Sequence, residues 1–169
     1  DRTLRSKMKE EGVNGEIGVV VVMEVKTGDV KAIVNLARGA DGEYYEMKNN
    51  AVSDLWEPGS TFKTASIMIA LEDGKIDVNK VVDCAPGIVK MYGRNMKDHN
   101  WHKGGYKELK VEDILGQSSN IGVSKIIDEA YSGNPSAYVD GLHRIGVGIP
   151  LNLPFVGKGE PYVPHPRNK

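Results

Sequence analysis

Between Ser60 and Leu71 the chain carries Phe62, Ala65, Ile67, Met68, Ile69, Ala70 and Leu71, which leaves almost no polar face at helical spacing. A helix that is apolar nearly all round has to be enclosed by other elements. Whatever this chain folds into must therefore wrap a central helix. Pro58-Gly59 breaks the chain before it, and Gly74 is placed to end it as a C′ residue.

The wrapping elements follow from the flanking pattern. Ile17 to Val25 is a β-branched run of strand length, of the kind buried on both faces. Lys26-Thr27-Gly28-Asp29 supplies turn chemistry, and Val30 to Leu36 resumes the run, so residues 17–36 predict a β-hairpin. Residues 37–55 read as a polar loop, and residues 84–107 show no sustained period. Helical patterning returns near Val111. Val123, Ile126, Ile127, Ala130 and Tyr131 fit an amphipathic helix. Asn134-Pro135 starts another helix, lined by Tyr138, Leu142 and Ile145 and closed by Gly146. Strands first and helices later predict an α/β (α+β) fold with a central antiparallel sheet and a helical subdomain. The expected organisation is a hairpin at 17–36, the central helix at 60–73, a helical subdomain at 75–146 and an irregular tail at 147–169.

Composition enters through what it excludes. With 22 basic and 23 acidic side chains in 169 residues, the formal charge is −1. That excludes the broad basic footprint of a nucleic-acid binder. No apolar run approaches the roughly 18 residues of a membrane span. The single cysteine, Cys84, excludes an internal disulfide framework. Five of the eight prolines fall in the last twenty residues. Such a tail cannot form a helix and counts against a complete domain.

Two short patterns could carry chemistry. In Ser60-Thr61-Phe62-Lys63 the first and last side chains share one helix face, about 5–6 Å apart at Cβ. A serine hydroxyl becomes a nucleophile when a neighbouring base takes its proton, and a lysine with a burial-depressed pKa can be that base. Ser60 would lie in the first helical turn, where unpaired N–H groups favour developing negative charge. On the pattern alone, an N-cap serine followed by a snorkelling lysine accounts for it equally well. Ser118-Ser119-Asn120, at a helix join, offers a second hydroxyl and a carboxamide to relay a proton and hold a substrate amide; helix capping explains these residues too.

Glu57-Pro58-Gly59-Ser60-Thr61-Phe62-Lys63 followed by Ser118-Ser119-Asn120 resembles the transpeptidase domain of class B penicillin-binding proteins. Val21 to Val34, Asn50 to Leu71 and Leu142 to Gly157 resemble successive segments of that domain, and the flavour is closest to the division-type (septal) enzymes. The resemblance implies a β-lactamase/transpeptidase-like fold, present here as the N-terminal part of the domain with an incomplete sheet. It implies Ser60 as the acylated nucleophile and Lys63 as its base. Ser118 and Asn120 would line the cleft, with Ser118 assisting proton transfer. It implies cross-linking of peptidoglycan stem peptides ending in D-Ala-D-Ala, covalent inhibition by β-lactams, and no metal or cofactor. It also implies divisome partners and an anchor in the bacterial cytoplasmic membrane, outside this chain, with the catalytic part on the periplasmic side.

The family's third motif, K-[ST]-G, belongs on a strand well after the second. The single Lys-Thr-Gly here, at 26–28, precedes Ser60 and is explained by hairpin turn chemistry. The third motif is therefore expected beyond Lys169, and the 169 residues alone are expected to be weakly active or inactive, since loss of one oxyanion donor costs about 100- to 1,000-fold. The unfilled sheet edge would also allow self-association.

The alternatives are a β-lactam sensor or serine β-lactamase relative, and a non-catalytic scaffold in which both motifs are caps. A β-lactamase of the class using Ser-Thr-Phe-Lys has S-x-V as its second motif, so Asn120 favours the penicillin-binding protein. Gly116 to Asn120 nearly matches G-x-S-x-G, but no strand precedes it and its last residue is not Gly. His99 and His102 with Cys84 make a poor zinc set, being lone imidazoles in an irregular stretch. Arg94, Lys97, Lys103, Lys107 and Lys110 read as a solvated basic loop. Tyr92, Trp101 and Tyr106 are expected to pack over the helices rather than border a groove.

Overall fold

In the computed structural model, residues 1–10, 13–154 and 156–166 are described. The chain divides into two compact units. The first comprises residues 1–56 with 150–161, and the second residues 57–149 with 162–169.

In the first unit, helix α1 (Arg2–Met8) precedes strands β1 (Ile17–Met23), β2 (Val30–Arg38) and β3 (Tyr44–Tyr45), which form an antiparallel sheet in that order; α2 (Asn50–Ser53) follows. The hairpin predicted at 17–36 is present, with Val20 opposite Val34, and its second strand runs two residues further, to Arg38. The turn is tied by the Glu24 N–H to the Asp29 carbonyl and by the Gly28 N–H to the Glu24 carbonyl, with Gly28 at φ +78°. This is the positive-φ position for which glycine carries no steric cost. The small core is Met8, Leu36 and Tyr44, and the Tyr44 hydroxyl reaches the Met8 and Gly15 carbonyls.

Two expectations fail in this unit. The β1 run was expected to be buried on both faces, yet Val20 to Met23 are 40–55% exposed. Helix α1 covers the strand only near Gly18, where an added Cβ would lie 2.4 Å from the Met8 sulfur. Residues 37–55, expected as a loop, hold the end of β2, β3 and α2. These elements are too short for periodicity to reveal.

In the second unit, a 3₁₀ turn (Gly59–Thr61) leads into α3 (Phe62–Glu72). Three further helices surround it: α4 (Val111–Gly116), α5 (Asn120–Tyr131) and α6 (Pro135–Arg144). The core combines Ile67, Ile69 and Ala70 of α3 with Ile114 of α4, Ile121 and Ile126 of α5 and Leu142 of α6. Burying one such aliphatic side chain contributes about 1.5–3 kcal/mol. Helix α3 is enclosed as its composition requires, with one correction: Met68 is 46% exposed and, with Thr64, marks a solvent-facing stripe. Its end is a Schellman arrangement, in which the Gly74 N–H donates to the Leu71 carbonyl and the Lys75 N–H to the Ala70 carbonyl. The residues align as the sequence predicts.

The stretch 84–107, which carries no period in sequence, contains an antiparallel hairpin of β5 (Ile88–Met91) and β6 (Arg94–Lys97). Strand β4 (Val81–Asp83) pairs separately with β7 (Glu108–Lys110). Four strands of three or four residues lie below the length at which alternation is detectable, so only pairing defines them. Segment 75–146 thus holds three helices and four short strands. Gly87 and Gly105 cross so closely that a Cβ on Gly105 would lie 2.1 Å from the Gly87 Cα. Among the described residues the tail has no helix or strand, as expected, but Val163 packs against the core of this unit.

Candidate active site

Ser60, Lys63, Ser118 and Asn120 all belong to the second unit. Ser60 is exposed in the 3₁₀ turn that precedes α3, not in the first α-turn as expected. Lys63, one turn on and half-buried, projects back so that its Nζ lies 3.2 Å from Ser60 Oγ. The same Nζ is 2.8 Å from Ser118 Oγ and donates to the Ser118 carbonyl at 2.6 Å. The amine therefore bridges two hydroxyls. Both spacings are within the reach a proton transfer requires.

Burial lowers the Lys63 pKa from its ordinary 10.5, and the negative charge of Asp98 opposes that shift in part. Desolvation disfavours the ammonium form and so raises the fraction of neutral amine able to act as a base.

The position of Ser118 follows from two helix ends meeting. Helix α4 closes with a Schellman arrangement, in which the Ser118 N–H donates to the Leu115 carbonyl and the Ser119 N–H to the Ile114 carbonyl. Ser118 is thus the C′ residue, a place usually held by glycine, and adopts φ +54°. A left-handed conformation costs a non-glycine residue about 1–2 kcal/mol. Such outliers persist where surrounding contacts impose them. Here Lys63 grips both the carbonyl and the hydroxyl of the strained residue.

Ser119 is the N-cap of α5, its Oγ accepting the Gly122 N–H at 2.9 Å. Of Ser118-Ser119-Asn120, the middle serine is therefore the residue that caps. Asn120 turns the other way, its Nδ2 donating to the Lys97 carbonyl at 2.7 Å.

Sequence reasoning missed Asp98. It is 1% exposed, its Oδ2 accepts from Ser119 Oγ at 2.9 Å, and its Oδ1 accepts the Ile121 N–H at 3.1 Å. No motif or periodicity marks it, since it follows a strand too short to recognise.

Cys84 is fully buried beside Ser119, and burial raises its thiol pKa. His99 stacks edge-on against Tyr106, and the Tyr106 hydroxyl reaches Gln117. Among the described residues, no group of three or more His, Cys, Asp or Glu could hold a metal ion. Lys97 lies 4.3 Å above the Trp101 ring; of the aromatic set expected to pack over the helices, Tyr106 does, while Trp101 is 44% exposed and Tyr92, at the β5–β6 turn, 83%. The Lys26-Thr27-Gly28 turn lies in the first unit.

A mixed α/β fold with a serine–lysine pair at the head of an enclosed helix, faced by a second serine at a helix join, is the class of arrangement in which an amine can activate a hydroxyl. Comparison with known proteins narrows the class. The penicillin binding protein transpeptidase domain matches residues 18–167. The peptidoglycan D,D-transpeptidase FtsI of Escherichia coli K12 is 36% identical over 148 residues, covering 85% of this chain and 24% of that protein. FtsI of Buchnera aphidicola is 31% identical over 154 residues, covering 88% and 26%. The transpeptidase domain of Burkholderia pseudomallei penicillin-binding protein 3 superposes with a TM-score of 0.76 at 25% identity, covering 94% of this chain and 42% of that one. The chain belongs to the penicillin-binding protein transpeptidase family, and it spans about a quarter of the length of these curated relatives. The fold expected from the sequence is the one found, and its antiparallel strands fall into three small separate sheets among the described residues.

Proposed function

We propose that this chain carries the acylating machinery of a serine D,D-transpeptidase that cross-links peptidoglycan stem peptides. The observation that carries the reading is the Lys63 amine, 3.2 Å from Ser60 Oγ and 2.8 Å from Ser118 Oγ. The neutral amine takes the Ser60 proton as Oγ attacks the carbonyl of the penultimate D-Ala. The C–N bond to the terminal D-Ala breaks, and Ser118 delivers a proton from Lys63 to the departing amine. The resulting ester is then attacked by an amino group of a neighbouring stem, whose proton returns through Lys63, and Ser60 is released. Asn120, whose Nδ2 is given to the Lys97 carbonyl, would offer its carboxamide oxygen to the substrate amide. The Ser60 N–H, at a helix start where amides lack intrahelical partners, would serve as an oxyanion donor.

β-Lactams would be trapped by the same attack. The relatives named as peptidoglycan D,D-transpeptidases support the transpeptidase reading, which we extend to a septal role, divisome partners and a periplasmic location. Among the described residues no helix is long and apolar enough to cross a membrane, so an anchor would have to lie elsewhere in the protein.

The test is labelling of the full-length protein with a fluorescent penicillin. A stoichiometric adduct on the peptide containing Ser60, abolished by Ser60→Ala, is expected. Equal labelling of the Ser60→Ala protein would sink the assignment.

A further inference from the structure

We infer that Asp98 is the positioning residue of this site: its buried carboxylate clamps the Ser118-Ser119-Asn120 turn and thereby sets the Ser118 hydroxyl against Lys63. The inference rests on the acyl-transfer reading of Ser60 and adds to it a residue that never touches substrate.

A carboxylate is buried only where hydrogen bonds compensate for the water it loses. Asp98 is 1% exposed, and both of its oxygens are spent on one short segment. Oδ2 accepts the Ser119 hydroxyl at 2.9 Å, and Oδ1 accepts the Ile121 N–H at 3.1 Å. The Ser119 oxygen in turn accepts the Gly122 N–H. Two of the amides that a helix start leaves unpaired are thus satisfied, one by the cap and one by Asp98 from another element. Negative charge at a helix N-terminus is also favourable through the dipole.

Asp98 is itself anchored. Its N–H donates to the Gly87 carbonyl at 3.0 Å, and its carbonyl accepts the Trp101 N–H at 3.1 Å. The clamp therefore joins the β5–β6 hairpin to the head of α5. Ser118, the residue just before the clamped cap, is the one held at φ +54°. Without the clamp, the strained residue would be held by its α4 hydrogen bonds and by Lys63 alone. Asn120 has a separate tether through the Lys97 carbonyl, so losing the clamp should affect proton transfer more than substrate binding.

Asp98→Asn tests this with little change of shape. The amide oxygen can still accept the Ile121 N–H, while the charge and the bond received from Ser119 are lost. Acylation of the full-length protein by a fluorescent penicillin, followed in time at several concentrations, separates the binding constant K from the acylation rate constant k2. The expected result is a k2 lowered about fivefold or more, with K changed by less than about threefold. A residue that only holds the fold together would reduce the labelled fraction and leave k2 of the remainder intact; that result, or any smaller fall in k2, overturns the inference. Should Asp98→Asn not fold, Ser119→Ala removes one of the two donors to Asp98 and decides alone: a lowered k2 supports the clamp, and an unchanged k2 refutes it. Ser60→Ala run in parallel keeps the two readings distinct, since equal labelling there refutes the nucleophile and not the clamp.

Discussion

Lys63 Nζ lies 2.8 Å from Ser118 Oγ across 55 positions of sequence, while the same nitrogen is 3.2 Å from Ser60 Oγ, three positions away. One amine thus joins a local pair, formed at the turn into α3, to a distant one that only packing can create. The proposed chemistry depends on both.

If Lys63 serves as the base, acylation follows its neutral form. Burial lowers the Lys63 pKa below 10.5, so the acid limb of k2 against pH should lie below that value. Lys63→Arg, whose guanidinium does not deprotonate, should lose about 100- to 10,000-fold in k2 across the range. The same shift acts on stability with a definite sign. Between the lowered folded pKa and the unfolded 10.5, the unfolded chain binds more protons, so the Lys63 contribution becomes more favourable as pH rises. Melting temperatures of the wild type and Lys63→Met, compared from neutral to alkaline pH, should move in the wild type's favour.

Ser118 pairs its proposed role with strain. Ser118→Ala and Ser118→Gly both remove the hydroxyl, and both should slow acylation. Only glycine relieves φ +54°, so Ser118→Gly should be more stable than Ser118→Ala by about 1 kcal/mol, read from denaturant unfolding.

Gly122 tests how closely α5 meets α4. A Cβ there would sit 2.7 Å from Ile114 Cγ1, so Gly122→Ala should destabilise by about 1–3 kcal/mol. Gly133, which has no atom within 4 Å of an added Cβ, is the control, and Gly133→Ala should change the melting temperature little.

The Ser66 hydroxyl and the Tyr138 hydroxyl, 2.7 Å apart, tie α3 to α6. Tyr138→Phe should cost about 0.5–1.5 kcal/mol, with Ser66 retaining its bond to the Phe62 carbonyl at 3.2 Å. Thermal unfolding would show the loss without a change in k2.

Long elements were legible from residues because they satisfy one rule along their whole length. The hairpin turn at Gly28 and the helix end at Gly74 are local decisions, made by φ angles and hydrogen bonds within a few residues. The exposure of Val20 to Met23 was not legible, because a β-branched run reads alike whether one face or both are covered. Nor were β4 to β7, whose three or four residues each take their strand character from a partner elsewhere in the chain.

Residue order and composition were enough to require that a helix headed by a serine and a lysine be enclosed, and that a second serine-bearing segment stand at a helix join. Packing was needed to bring Lys63 to Ser118, to make Ser119 rather than its neighbours the cap of α5, and to set Asp98 against Ser119 and Ile121. The physical reason is range. Backbone preference and side-chain periodicity act over a few residues, whereas burial of Asp98 and the approach of Lys63 to Ser118 arise when separate elements share one core and their polar groups must find partners inside it.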